Sequence, residues 1–361
     1  MTTQSDFTNR PSAAKMLTNA GIIEDPERIP AALQVYVTQT DRTLKKARAT
    51  VIAKGMAEEQ ELQFQRLLTA IAKRVISHPI VKENRYLERF SKGVTLSQAR
   101  HELQQFSIFA HNFDVAQAML VTNAPTFESY QKRLQVLLNE KGIPYANGFE
   151  GELTGHWKQE TVHFQWLLNM AEGLKLSFHE VGKVWLALPG AAQFVDATFR
   201  YYAGVDQSVS LGAAFAIENW AANNLWTPWI AGMKKLNASL EKPINLGYLT
   251  YHEAEERHHS QSTIDELFDQ FSEPWFDAQR FLQGAEGILD EGVLPYYVSQ
   301  LEHLPEKQNR DWPTSVCAPV RGRRQDHREN EFGCTSVPRP TTDERPKPSY
   351  TPPNCVISGH N

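Results

Sequence analysis

The chain has 361 residues, 41% of them hydrophobic, with a formal net charge of -5 and a pI near 6.2. That is enough apolar material for one large domain, and the lack of a long basic stripe excludes nucleic acid as the expected partner. No run reaches the ~18 apolar residues of a membrane span, and "MTTQSDFTNRPSAAK" lacks the apolar stretch of a signal peptide, so a cytoplasmic protein without a membrane partner is expected.

Residues 1–30 show no period and are expected to be irregular. The next stretch, "IPAALQVYVTQTDRTLKKARATVIAKGMAEEQELQFQRLLTAIAKRVI", reads as an N-terminal helical extension or an extra helical pair. In "TLSQARHELQQFSIFAHNFDVAQAML", Thr95 and Gln98 stand three apart, the pattern of a capping box. Phe106, Phe109, Phe113, Ala116 and Leu120 follow at alternating spacings of three and four, one apolar stripe of a helix. "QETVHFQWLLNMAEGL" (159–174) repeats the pattern and ends near Gly173. "SLGAAFAIENWAANNLW" (210–226) is rich in small residues, as in a helix packed on all sides. "YHEAEERHHSQSTIDELFDQF" (251–271) is charged early and amphipathic later, and 276–304 closes the set.

Alternating strand patterns with Asn-Gly or Asp-Gly turns are absent. From Pro305 onward the composition changes: nine of the twenty prolines fall there, with few apolar residues and no period. Such a segment cannot bury enough surface to offset its ordering entropy. All three cysteines, Cys317, Cys334 and Cys355, lie in it, without zinc-like spacing. The expectation is one all-α domain over 31–304, with 305–361 a disordered, proline-rich tail.

Chemistry concentrates in "YHEAEERHH". At 100° per residue, with His252 at zero, Glu256 falls at about +40° and His259 at about -20°. These three share a face, Glu255 flanks it at about -60°, and His258 points away. Two imidazoles and a carboxylate on one stripe are a ligand set for iron, manganese or zinc. The zinc-protease pattern is excluded, because Glu256 stands where that motif needs its second histidine. Glu160 and His163 form a Glu-x2-His pair of the kind used in di-metal helix bundles. Glu218 is a lone carboxylate in an apolar helix, costly unless paired or metal-bound. Each element alone also fits a bland role, as a solvated face, a chance pair or a hydrogen-bonded core acid. Their joint occurrence on three helices is what points to a two-metal site. His111, beside the Phe106 stripe, is a weaker pocket candidate.

The order of these motifs resembles the haem-oxygenase-like diiron oxidases, iron-containing redox enzymes that share a seven-helix fold with cofactorless quinone-cofactor synthases and TenA-type thiaminases. The likeness runs from about Ile76 to Leu304. "HPIVKENRYLERFSKGVTLSQARHELQQFSIFAHNF" is similar to the family's first core helices. "HFQWLLNMAEGL", "ENWAANNLW" and "YHEAEERHH" are similar to its metal helices. The resemblance implies a haem-oxygenase-like bundle of about seven core helices, beginning near residue 76. It makes His163 the first histidine ligand, Glu218 the next carboxylate, and His252, Glu256 and His259 the last three, with Glu256 where the family more often has Asp. "VLLNEKG" is similar to the segment around the family's first carboxylate and nominates Glu140, with "IPYANGFEGELTGHWKQ" inserted before His163. Glu140 and Glu160 stand equal for that role, and Glu152 is a third choice. The implied cofactor is two iron ions, held weakly in some members. The implied activity is O2-dependent oxidation of a small organic substrate, with a homodimer as a candidate assembly. The competing class is a cofactorless, metal-free small-molecule enzyme of the same fold, or a helical binding protein. Trp166, Trp220, Trp226 and Trp229 are candidates for the pocket wall or for core packing, and Tyr251 for a group behind the ligands.

Overall fold

Among the residues that the computed structural model describes, 12–54, 58–143 and 159–302, every regular element is helical and there is no strand. The chain divides into two units, Met1–Trp312 and Pro313–Asn361, and all described residues belong to the first. The tail expected at 305–361 therefore lies outside the described residues, as does Glu152.

Helices α1 (Ala13–Asn19), α2 (Ala31–Lys54) and α3 (Glu58–Ile71) lead into a π turn at Ala72–Ile76 and the short α4 (Pro79–Lys82) and α5 (Arg85–Ser91). The expectation of an irregular N-terminus is corrected at 13–19. Ser12 caps α1 by accepting from the Lys15 N–H, the Ala13 N–H donates to Asp41 at 2.7 Å, and Leu17 is fully buried. Nor is the N-terminal extension a separate layer, since Leu17, Tyr36, Phe64 and Ile71 share the hydrophobic cluster of the later helices.

Helix α6 (Leu96–Thr122) begins with the Thr95–Gln98 capping box that the sequence indicates. It is followed by α7 (Phe127–Glu140), α8 (His163–Gly173) and α9 (Pro189–Ala197), the last continued by a π turn to Tyr202. Helix α10 (Gln207–Asn224) is buried at every position from Ser208 to Ala221, which is why its sequence is apolar and small all round. Then come α11 (Trp226–Asn237), α12 (Gly247–Gln270), α13 (Ala278–Ile288) and, after a π turn at 289–293, α14 (Leu294–Leu301). No described helix is long and apolar enough to cross a membrane.

Two glycines set the depth of α10 in the bundle. A Cβ on Gly212 would lie 1.9 Å from the Phe281 carbonyl oxygen of α13, and one on Gly284 the same distance from the Val209 carbonyl oxygen of α10. Both obstacles are backbone, so they cannot swing aside. Gly212→Ala is therefore expected to lower stability by about 2 kcal/mol or more, although alanine is the better helix former. A urea unfolding curve shifted to higher denaturant would refute this account of the contact.

On its other side α12 meets α2 through polar groups. Thr43 donates to Asp265 at 2.6 Å, Gln261 donates to Thr43 at 2.9 Å, and Gln39 donates to Ser260 at 2.5 Å. Ser260 follows His259 directly in the chain, so the N-terminal helices brace the element that carries the charged cluster.

Candidate metal centre

Six side chains from four helices meet in two groups. The last residue of α7, Glu140, joins the first residue of α8, His163, and His252 of α12. Glu218 of α10 joins Glu256 and His259 of α12. Within each triad the candidate ligand atoms all lie within 4.8 Å of one another. His163 Nδ1 is 3.0 Å from Glu140 Oε2, and His252 Nε2 is 3.8 Å from Glu140 Oε1. His259 Nδ1 is 3.5 Å from Glu218 Oε2 and 3.7 Å from Glu256 Oε2. Metal–donor bonds of about 2.1 Å put neighbouring donors roughly 3 Å apart, so both triads need only small side-chain shifts to close on an ion.

The helical phase of α12 decides which of its charged residues face inward. His252, Glu256 and His259 are buried, Glu255 is half-buried and His258 is exposed. Glu160 lies outside both triads. The helix expected to run back through it begins only at His163, because Val162 is extended (φ -67°, ψ 130°), and Glu160 sits exposed on a 3-10 turn. Its contribution is a backbone carbonyl, which accepts from the Trp166 indole N–H at 2.5 Å. Of the two carboxylates put forward for the first position, Glu140 is the one that stands beside His163 and His252. His111 is also apart from the triads; its ring stacks on Phe164 at 4.1 Å.

The groups behind the ligands fix their orientation. His252 Nδ1 donates to the Tyr248 carbonyl at 2.7 Å, which leaves Nε2 as the ring atom facing Glu140. His163 is held between aromatic neighbours: Trp166 stacks on it with ring centres 4.8 Å apart, and Tyr251 meets it edge-on at the same separation. Tyr251 is itself anchored, its hydroxyl accepting from Asn139 at 2.8 Å. Such partners hold ring orientation and raise ligand basicity. Asn139 and the Tyr248 carbonyl were not visible as site groups in the sequence, although each is a helical neighbour of a ligand.

Both triads border one cavity of about 50 Å³, whose wall includes Glu140, Glu218, His252, Glu256 and His259. The remainder is almost entirely apolar, with Phe106, Phe109, Phe113, Trp220 and Trp226 prominent. A water needs roughly 10–15 Å³ of such space, so the cavity has room for a few water-sized molecules. Trp229 is buried behind this wall against Phe106.

Burial and mutual charge pull the protonation states apart. Burial opposes the charge on Glu140, but His163 and His252 outweigh it and hold its carboxyl well below the usual range. Burial would lower the His252 imidazole, and Glu140 overrides it and raises it. Burial, reinforced by the charge of Glu218, pushes Glu256 up to about 7, against the pull of His259. His259 is held well above the ordinary imidazole value, because Glu218 and Glu256 overcome its desolvation. Protons are thus favoured on His252 and His259 by their carboxylate neighbours, and on Glu256 by burial. Ligating imidazole and carboxylate must give those protons up, so ion loading releases them and tightens as pH rises.

No protein-family model matches the chain, and no curated protein matches it.

Proposed function

We propose that this chain is a non-haem di-metal oxidase of the haem-oxygenase-like type, which holds one iron ion in each triad and oxidises a small organic substrate with O2. The observation that carries the reading is the pair of buried His/Glu triads opening on one apolar cavity. Three carboxylates and three imidazoles taken out of water are costly as a set of ion pairs alone. In the second triad, two carboxylates face one imidazole, and a divalent cation would balance that charge. An all-nitrogen and oxygen donor set suits iron or manganese. The motif order described above supports iron and O2 chemistry among these. Bound iron would supply the electrons that reduce O2.

The chain's own residues supply the rest. The Tyr248 carbonyl aims His252, Trp166 and Tyr251 clamp His163, and the phenylalanine and tryptophan wall excludes water from the reacting centre. The stored protons on His259 and Glu256 are released as the centre loads.

The test is anaerobic loading of the full chain with ferrous iron, a count of bound ions by equilibrium dialysis, and O2 uptake on mixing with air. Two ions per chain and iron-dependent O2 uptake are expected, with Glu160→Ala indistinguishable from the unaltered protein. A chain that binds no iron saturably and consumes no O2 would be a metal-free enzyme or a helical binding protein instead.

A further inference from the structure

Glu218 and His259 border a second cavity, of about 30 Å³, with more polar side chains in its wall than the first. Its walls include Gln117, Arg133, Tyr202, Thr263 and Glu266. Arg133, on α7, is 2% exposed and almost fully tied down. Its Nε donates to Glu266 at 3.0 Å, and its Nη1 donates to the Leu120 carbonyl at 3.0 Å and to Gln207 at 3.4 Å. Its backbone carbonyl accepts from Gln117 at 2.7 Å, and Gln117 is in turn engaged by the Tyr202 hydroxyl. Against that background Nη2, with two N–H donors, is buried and has no partner. A guanidinium that is ordered by three hydrogen bonds and left with one dry edge is an expensive arrangement unless something completes it.

We propose that this chamber is an oxyanion site, in which Arg133 Nη2 receives one carboxylate-sized anion beside Glu218 and His259. The planar, pre-organised fork of arginine matches carboxylate geometry. The space corresponds to roughly two waters, which fits the two oxygens of a carboxylate and excludes a bulkier oxyanion. The Glu218 carboxylate repels an anion in the metal-free chain, so a cation in its triad strengthens anion binding, and the anion strengthens the cation in equal measure. That coupling rests on the metal reading above; the Arg133 contact does not. The carboxylate comes either from a free small anion or from the head of an acidic substrate.

Titrating the full chain with formate by calorimetry, with and without bound metal, tests the site, while metal content is counted in parallel by dialysis. Saturable 1:1 formate binding is expected, tighter in the metal-loaded protein. Arg133→Lys keeps the charge opposite Glu266 but loses the free edge, and weakens formate about tenfold or more. Glu266→Gln removes the competing carboxylate and tightens it, a change that a merely structural arginine would not produce. A series from formate to hexanoate identifies the source: affinity lost beyond acetate means a free anion, and affinity rising with chain length means a substrate head group. Formate binding that is absent in both metal states, or unchanged in both variants, overturns the proposal. Normal metal loading alongside such a result leaves the metal reading standing, whereas Arg133-dependent formate binding without metal loading removes the metal reading alone.

Discussion

Iron-loaded His163→Ala is expected to hold one ion per chain where the proposed function gives the unaltered protein two, and Glu218→Ala is also expected to hold one. The argument follows from the partition of the ligands. His163 belongs to the Glu140 and His252 triad, and Glu218 to the Glu256 and His259 triad, so each substitution strips one ligand from one group. Outer partners of a metal site are worth about 10–100-fold in affinity, and losing a ligand itself is expected to weaken that ion by about 100-fold or more. O2 uptake falls by a similar factor in both variants, because the proposed chemistry needs both ions. The double variant binds none. Both substitutions also remove partners from buried charges, so helicity and the unfolding midpoint are recorded with the metal count, and His163→Gln serves where the alanine variant is too unstable. Two ions retained in both single variants would remove the triads from the metal account altogether.

How far these residues could be found without a structure depends on what fixes them. The inward face of α12 was legible because a helix converts spacing into direction, and the shared burial of His252, Glu256 and His259 needs nothing but the 100° step. Glu218 was legible as a carboxylate with no partner in an apolar helix. The first carboxylate was not. Glu160 has the better spacing to His163 only if both lie on one helix, and Val162 breaks that helix before it reaches Glu160. Glu140 meets His163 from the end of another helix 23 residues earlier in the chain, and only the likeness of "VLLNEKG" put it forward, level with Glu160. The all-α class followed from the periodicity, and the phenylalanine side of the cavity from the Phe106, Phe109 and Phe113 stripe. Helix α1 was missed because seven residues are too few to show a period, leaving only the weak signal of Ser12 at its cap. Arg133 and Glu102 were missed for a different reason. Each lies in a run of polar residues on an amphipathic helix, and only packing reveals that it points inward.

Glu102→Gln makes the protein more stable by about 3 kcal/mol at pH 8 and by under about 1 kcal/mol at pH 5. Glu102, on α6, is completely buried and belongs to neither triad. Burial pushes its carboxyl up to about 7 from an ordinary value of 4.5, and hydrogen bonds from the Tyr86 and Tyr296 hydroxyls only partly offset that. Tyr296 donates to Oε1 at 3.1 Å, while Oε2 has no partner, so the core accommodates the neutral acid better than the carboxylate. A carboxyl whose folded value is raised contributes nothing unfavourable below the unfolded value, where both states are protonated. As pH rises from about 4.5 to about 7 the unfolded chain ionises first, and stability is lost at about 1.4 kcal/mol per pH unit until the folded carboxyl ionises too. The gap of 7 less 4.5 gives the figure of about 3 kcal/mol, constant above pH 7. Glutamine keeps the shape and the acceptor for Tyr296 and has no proton to lose, so its advantage should grow across this window and then level off. Urea unfolding of both proteins at half-unit steps from pH 5 to 8 measures it. Curves that run parallel throughout would mean that Glu102 ionises alike in the folded and unfolded chain, and that its enclosure by Tyr86, Tyr296 and Tyr297 does not shift it.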